Sequence, residues 1–317
     1  MKKQIIHQLA FIISISFLFY PSNGFSQVAD SFFVAGIHPA ASIQTTSTGK
    51  ELAILFPWNG KLFSGYGDYG ANTGPIDIYS FSPDSLTFTY ECQANTEAVY
   101  TYKAINGMLY APAIDRKSYS IAGDYIKMDS TGNCGNYDFG GSSTHVYDAV
   151  RFNDTILFMT GSRNDNAVVW RSNDNGQKWS IVRDDTTISG ISHDFARYYF
   201  GGMYNGNLYV QARDAYGSLH PNSKVYNGTT WTNGPTLFLT GGAQGWKPLQ
   251  FGGKLVYRHK EPPGSGQLLS FDGSNVSLLN SLWIFDHLVD LSYYYVLVDS
   301  GFGIRKLLRT SDLINWV

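Results

Sequence analysis

Short runs of alternating apolar and polar residues, each stopped by glycine, asparagine or aspartate, fill this chain from about residue 50 to its last residue. One stretch holds four of them: His145 to Phe152, Thr155 to Gly161, Asn166 to Ser172 and Lys178 to Asp184. Alternation at every second position is the period of a half-buried strand, and nothing between these runs sustains the 3.6-residue apolar period of a helix. The pattern predicts an almost purely β protein.

The runs also repeat. An apolar strand, a tight turn and a strand opening with Leu-Tyr or Leu-Phe recur as Asn59-Gly60-Lys61-Leu62-Phe63, Asn106-Gly107-Met108-Leu109-Tyr110 and Asn205-Gly206-Asn207-Leu208-Tyr209. Asn153-Asp154-Thr155-Ile156-Leu157 and Gly252-Gly253-Lys254-Leu255-Val256 are looser copies, and Ser292-Tyr293-Tyr294-Tyr295-Val296-Leu297 is a weak sixth. Across the first five, the second turn residue advances by 47, 47, 52 and 47 positions. Asn-Gly between apolar runs signals a type I′ hairpin, because both central residues need positive φ. A second turn signal recurs in phase, near Pro83-Asp84, Asp129-Ser130-Thr131-Gly132, Asp174-Asn175-Gly176, Asn227-Gly228, Asp272-Gly273 and Asp312-Leu313. Two hairpins make four strands, A to D, per unit.

Tandem four-stranded units of this length predict a β-propeller of six blades, starting near residues 51, 97, 145, 194, 247 and 287. The last copy reaches Trp316-Val317 where its fourth strand should begin, and an early strand, Ser31 to Ile37, is expected to fill that place and close the ring. A chain with further blades missing is the alternative.

Composition narrows the setting. Met1-Lys2-Lys3, an apolar run from Leu9 to Tyr20 and small residues up to Ser26 read as a signal peptide over 1–26, leaving a single domain over 27–317. The run falls short of the ~20 apolar residues a bilayer span needs, although an uncleaved anchor stays open. A secreted or cell-surface protein is expected. Lys and Arg number 23 against 25 Asp and Glu, with no basic run, so no nucleic-acid partner is expected. The 22 Tyr, 20 Phe and 33 Gly suit twisted, aromatic-packed sheets with tight turns. Cys92 and Cys134 either pair, contributing roughly 4 kcal/mol by the chain-entropy estimate, or remain free thiols.

Ser172-Asn173-Asp174-Asn175-Gly176-Gln177-Lys178-Trp179 resembles the Asp-box, S-x-D-x-G-x-x-W, of the BNR-repeat propellers that include sialidases. Thr310-Ser311-Asp312-Leu313-Ile314-Asn315-Trp316 is similar but one residue short and lacks the Gly, and Tyr226-Asn227-Gly228-Thr229-Thr230-Trp231 keeps only the turn and the Trp. The resemblance implies the propeller fold and gives Ser172, Asp174, Gly176 and Trp179 a structural role: side chains bond turn amides, Gly takes positive φ, and Trp packs across the hairpin. Sialidases of the family also carry an arginine triad and an Arg-Ile-Pro segment. No Arg-Ile-Pro occurs here and the first arginine is Arg116, so sialidase chemistry is not implied.

In a propeller the A–B and C–D turns share one side and the B–C and D–A connections the other. Here the second side holds the longer, more charged and more aromatic loops, the usual place for function. The D–A connections bring Glu97, His145, His193-Asp194, Trp246-Lys247 and Asp286-His287 toward the axis. The B–C loops add Tyr66, Asp68 and Tyr69; Asp115, Arg116 and Lys117; Arg163, Asn164 and Asp165; Arg213, Asp214 and Tyr216; and His259-Lys260-Glu261. Aromatic rings beside charged groups suit sugars, since rings cover the apolar face of a pyranose while charges bond hydroxyls or carboxylates. His145 and His193 are the candidate acid–base residues, because histidine alone titrates near neutrality unaided. Arg213 and Lys247 would neutralise a uronate or sulfate and a tyrosine would supply the partner acid or base, a layout that looks like the His/Tyr arrangement of propeller polysaccharide lyases.

Gly65-Tyr66-Gly67-Asp68-Tyr69-Gly70 matches G-x-G-x-x-G, but Ala71-Asn72-Thr73-Gly74-Pro75 follows where a dinucleotide site needs a helix. No cofactor and no metal is expected, since no zinc or calcium spacing occurs. Two functions compete: a propeller that binds or processes an extracellular glycan, acidic polysaccharides included, and a non-catalytic adhesion or scaffold protein that binds a surface protein. Hydrolysis at a metal-supported site trails both.

Overall fold

A computed structural model describes residues 34–140, 143–185, 196–213, 222–239, 244–260, 265–279, 282–290, 292–299 and 305–317. The signal peptide, Ser31–Phe33, His193, Asp194, Asp214, Tyr216 and Glu261 lie outside the described residues.

Six small antiparallel sheets stand in a ring as the blades of a β-propeller. Blade 1 comprises Ile54–Trp58, Lys61–Gly65, Ile76–Ser82 and Thr87–Ala94; blade 2, Lys103–Ile105, Met108–Pro112, Tyr125–Met128 and Cys134–Tyr137. Blade 3 runs through His145–Arg151, Leu157–Arg163, Asn166–Ser172 and Ser180–Asp185, and blade 4 through Gly202–Tyr204, Asn207–Val210, Lys224–Tyr226 and Trp231–Asn233. Blade 5 holds Trp246–Phe251, Lys254–Arg258, Leu268–Phe271 and Val276–Leu278, while the described strands of blade 6 are Trp283–Asp290, Tyr293–Asp299 and Arg305–Thr310. The first-named strand of each blade is innermost.

The turns follow the side chains. Asn59-Gly60, Asn106-Gly107, Asn205-Gly206 and Gly252-Gly253 all take positive φ, as a type I′ hairpin requires. At the C–D hairpin of blade 3 the Asp174 carboxylate accepts from the Gln177 and Lys178 amides at 3.1 and 2.9 Å, and the Ser172 hydroxyl accepts from Gly176 N at 2.8 Å. Thr310 and Asp312 repeat the arrangement in blade 6, with Asp312 accepting from the Ile314 and Asn315 amides. Trp179 does not stay within its own hairpin. It stands edge-on to Tyr125 and Phe139 of the neighbouring blade, and its indole N–H donates to Tyr125 Oη at 3.1 Å. The hairpin tryptophan therefore joins two blades.

Backbone bonds on the loop-bearing side tie blade 1 to 2, 2 to 3, 3 to 4 and 5 to 6. Val99 N donates to Tyr66 O, Val146 N to Ala113 O, Ala196 N to Asp165 O, and Gly266 and Ile284 exchange both bonds. The glycines of Gly65-Tyr66-Gly67 serve this approach: a Cβ on Gly65 would sit 2.3 Å from Val99 O, and one on Gly67 2.4 Å from Glu97 O. The dinucleotide-like motif is thus a close-packing device between blades 1 and 2.

The closing strand differs from expectation. Val34–Ile37, the described part of Ser31–Ile37, is not a strand. Gly36 packs on Phe81 and Phe88 of blade 1, and the His38 ring settles among Tyr66, Tyr79 and Phe88, ahead of Pro39, which has no N–H for a ladder. At blade 6 it is Val317 that exchanges backbone bonds of 2.8 and 3.0 Å with Arg309 on strand Arg305–Thr310.

Cys92 and Cys134 form a disulfide between the outer strands of blades 1 and 2, with a Cα–Cα distance of 6.1 Å. Reduction, or Cys92→Ser with Cys134→Ser, is expected to lower stability by about 2–4 kcal/mol. Chemical denaturation with and without reductant reads this directly, and coincident curves would mean that the bridge constrains nothing in the unfolded chain.

Candidate functional site

The mouth of the axis is built by a small ribbon in blade 2. Thr96–Ala98, just ahead of the inner strand, pairs antiparallel with Ile114–Arg116 of the B–C loop. The register, Thr96 with Arg116 and Ala98 with Ile114, sets Glu97 opposite Asp115. Ile114 also pairs with His145, the first residue of the blade 3 inner strand. Three residues 48 positions apart at the extremes, Glu97, Asp115 and His145, are thereby gathered by backbone pairing alone.

Their electrostatics are coupled. His145 Nδ1 lies 2.7 Å from Asp115 Oδ1, and the imidazole is 5 % exposed. Burial lowers the His145 pKa and the nearby Arg197 guanidinium adds to this, while Asp115 opposes both. Glu97, 6 % exposed, has its pKa raised by burial first and then by the Asp115 charge. Lys117 Nζ, 3.7 Å from Glu97, works in the opposite sense. The Asn72 amide, its nitrogen turned inward, donates to both Glu97 oxygens at 3.0 Å. Burial and Arg197 thus shift the imidazole pKa down, while burial and Asp115 shift the Glu97 carboxyl pKa up.

Aromatic rings line the approach. Tyr69 is 6.0 Å from the His145 ring and 6.2 Å from Tyr100; Tyr147 is 5.5 Å from His145 and 4.5 Å from Tyr199. Trp246 touches Tyr100, Tyr147 and Tyr199 from the opposite side of the ring of blades. Arg197 lies beside Tyr69, Tyr147 and Tyr199 and was missed by the sequence reading, although its place in the D–A connection ahead of blade 4 was the available signal.

Tyr100 and Trp246 also border a cavity of about 80 Å³ between the inner strands of blades 1, 5 and 6. Lys247 Nζ bonds Asp286 at 2.7 Å there, and Lys103 Nζ lies 3.2 Å from the buried Asp148. His287 is held by Lys247 O at 2.8 Å and Tyr294 Oη at 3.0 Å, and burial pushes its pKa down to about 3. It stays neutral and structural.

Other predicted positions face elsewhere. Tyr66 is fully buried with its hydroxyl on the Asp77 backbone, because a bulky ring beside Gly65 and Gly67 fills the blade interior. Arg116 alternates with Asp115 along the ribbon and so turns away from the axis, into a buried network with Asp124 and Asp138. Asp68 accepts from Thr46 Oγ1 at 2.8 Å. Arg163 borders a groove between blades 2 and 3 with Trp170 and Trp179. Arg213 lies near half-buried His259, whose pKa burial and then this arginine lower.

No family model matches this chain, and no curated protein matches it. Among solved structures, it superposes on the GH74 xyloglucanase of Xanthomonas campestris with a TM-score of 0.55 and 13 % identity, over 84 % of this chain and 45 % of the xyloglucanase. The β-propeller domain of the Trilobed protease from Pyrococcus furiosus matches at 0.45 and 13 %, over 79 % and 75 %. The likeness is one of fold.

A shared propeller carries many chemistries, so the residues at the mouth must decide what this one does. Glu97, Asp115, His145 and Tyr69 converge there. Trp246 closes the ring of rings behind them with an indole N–H that has no partner among the described residues.

Proposed function

We propose that this protein binds an extracellular glycan at the axial mouth and acts on it by acid–base chemistry. The observation that carries the reading is the convergence of Glu97, Asp115 and His145 beneath the Tyr69 ring, on the side where the loops emerge. His145, its Nδ1 2.7 Å from the Asp115 carboxylate, serves as general base. Glu97, its pKa raised by burial and then by Asp115, serves as general acid toward the leaving oxygen. Tyr69 offers a ring to the apolar face of the sugar. Hydrolysis and lyase-type elimination both use this pair of roles.

Three further features support an exported glycan-directed protein. The N-terminal sequence reads as a signal peptide, the disulfide suits an oxidising compartment, and the side-chain-capped C–D hairpins with their tryptophan fit the Asp-box resemblance. Among the described residues no helix is long and apolar enough to cross a membrane. Likeness of fold to part of a xyloglucanase is in keeping with this reading.

One observation favours the non-catalytic alternative, a propeller that presents loops to a surface protein: Glu97 and His145 are almost closed off from solvent. Incubating the purified protein with neutral and acidic polysaccharides separates the two. New reducing ends or an ultraviolet-absorbing unsaturated uronate is the expected result; absence of any product across the panel sinks the enzymatic reading and leaves the adhesive one.

A further inference from the structure

Blade 4 repeats the ribbon of blade 2 with two arginines in the places of an apolar pair. Arg197–Tyr198, ahead of the inner strand, pair antiparallel with Ala212–Arg213 of the B–C loop, and Arg197 stands directly opposite Arg213. Ala98 and Ile114, which pack in one cluster with Tyr147, Tyr199 and Trp246, hold the matching places in blade 2, since each pair lies equally far along the chain from the paired inner strands of its blade. Like charges directly opposite on paired strands destabilise them. Packing alone does not account for two facing arginines where blade 2 places Ala98 and Ile114.

No ion pair joins Arg197 or Arg213 to a carboxylate of the described residues. Each has a solvent-shielded Nε without a hydrogen-bond partner among those residues. Arg197 reaches the site already described, beside Tyr69, Tyr147 and Tyr199, and its charge is felt at His145. Arg213 is felt at His259 on the next blade.

We propose that Arg197 and Arg213 form an anion-binding wall of the axial mouth, and that the glycan taken there carries a carboxylate or sulfate group. The ligand's sugar scaffold rests on the reading above, whereas the anion site stands without it. Guanidinium groups present paired donors matched to a carboxylate or sulfate.

Dextran, carboxymethyl dextran and dextran sulfate share a backbone and differ in charge, and their binding to the wild type, Arg197→Gln and Arg213→Gln is measured by calorimetry. The wild type is expected to prefer the charged polymers, and each substitution to weaken them by about 10–100-fold, the value of a lost charge-assisted hydrogen bond. Free glucuronate or sulfate should raise the thermal midpoint of the wild type and not of the variants. Without ligand the variants should melt at or above the wild-type temperature, because a repulsion has been removed, and this separates lost recognition from lost folding. Equal affinity for charged and neutral dextrans, or for wild type and variants, overturns the proposal. Loss of anion binding in the variants with no turnover of any glycan upholds the anion wall and sinks the catalytic roles. Unimpaired binding and processing of an anionic glycan by both variants upholds those roles and sinks the wall.

Discussion

Replacing Glu97 by glutamine lowers turnover of an accepted glycan by about 10²–10⁴-fold and leaves its binding within a few-fold, the usual signature of a lost proton donor. Glutamine keeps the shape and the Asn72 contact but has no proton to give. His145→Ala removes the base and falls in the same range. The pH profile supplies the sharper check. Activity requires neutral His145, so it rises as pH climbs through the histidine pKa, which burial holds below the ordinary value. It requires protonated Glu97, so it falls as pH passes the raised carboxyl pKa. Asp115 raises both pKa values. Asp115→Asn therefore moves both limbs to lower pH. Limbs that stay in place, or turnover that survives Glu97→Gln, would remove this trio from the chemistry.

Asp124→Ala is expected to cost about 3–5 kcal/mol of folding stability, the largest loss foreseen for a single substitution here. Asp124 is fully buried, and its carboxylate accepts from the Arg116 guanidinium, from Phe139 N at 2.8 Å and from Ser143 N at 3.2 Å. Without it Arg116, itself buried, keeps only Asp138, 2.8 Å away and partly in solvent. An uncompensated buried charge is what makes the change severe. Combining it with Arg116→Met should therefore recover part of the loss, because the stranded charge goes as well. Urea denaturation of the two single variants and the double one measures the coupling. A loss under about 1 kcal/mol for Asp124→Ala would show that water reaches Arg116 readily.

Blade number and hairpin positions were legible because they depend on neighbours in sequence. Asn59-Gly60 and its copies demand positive φ wherever they occur, and the alternation beside them assigns inner and outer faces. The capped turns at Asp174 and Asp312 are equally local, since each carboxylate bonds amides no more than four residues on. Glu97 and His145 could be placed on the loop-bearing side from topology alone. Their partner could not, for whether Asp115 or Arg116 faces the axis depends on the register of a ribbon that no turn residue announces. The same missing register hid Arg197 and put Tyr66 on the wrong list.

From the sequence alone come the repeat, the all-β character, the turn chemistry and the side from which the loops emerge, all set by contacts within a hairpin. Tertiary structure alone decided that Cys92 meets Cys134, that Arg116 leaves the mouth while Arg197 enters it, and that Arg197 and Arg213 stand opposite each other. These depend on how one blade's loop registers against the next blade's inner strand, a pairing between distant segments whose side chains carry no local mark of it.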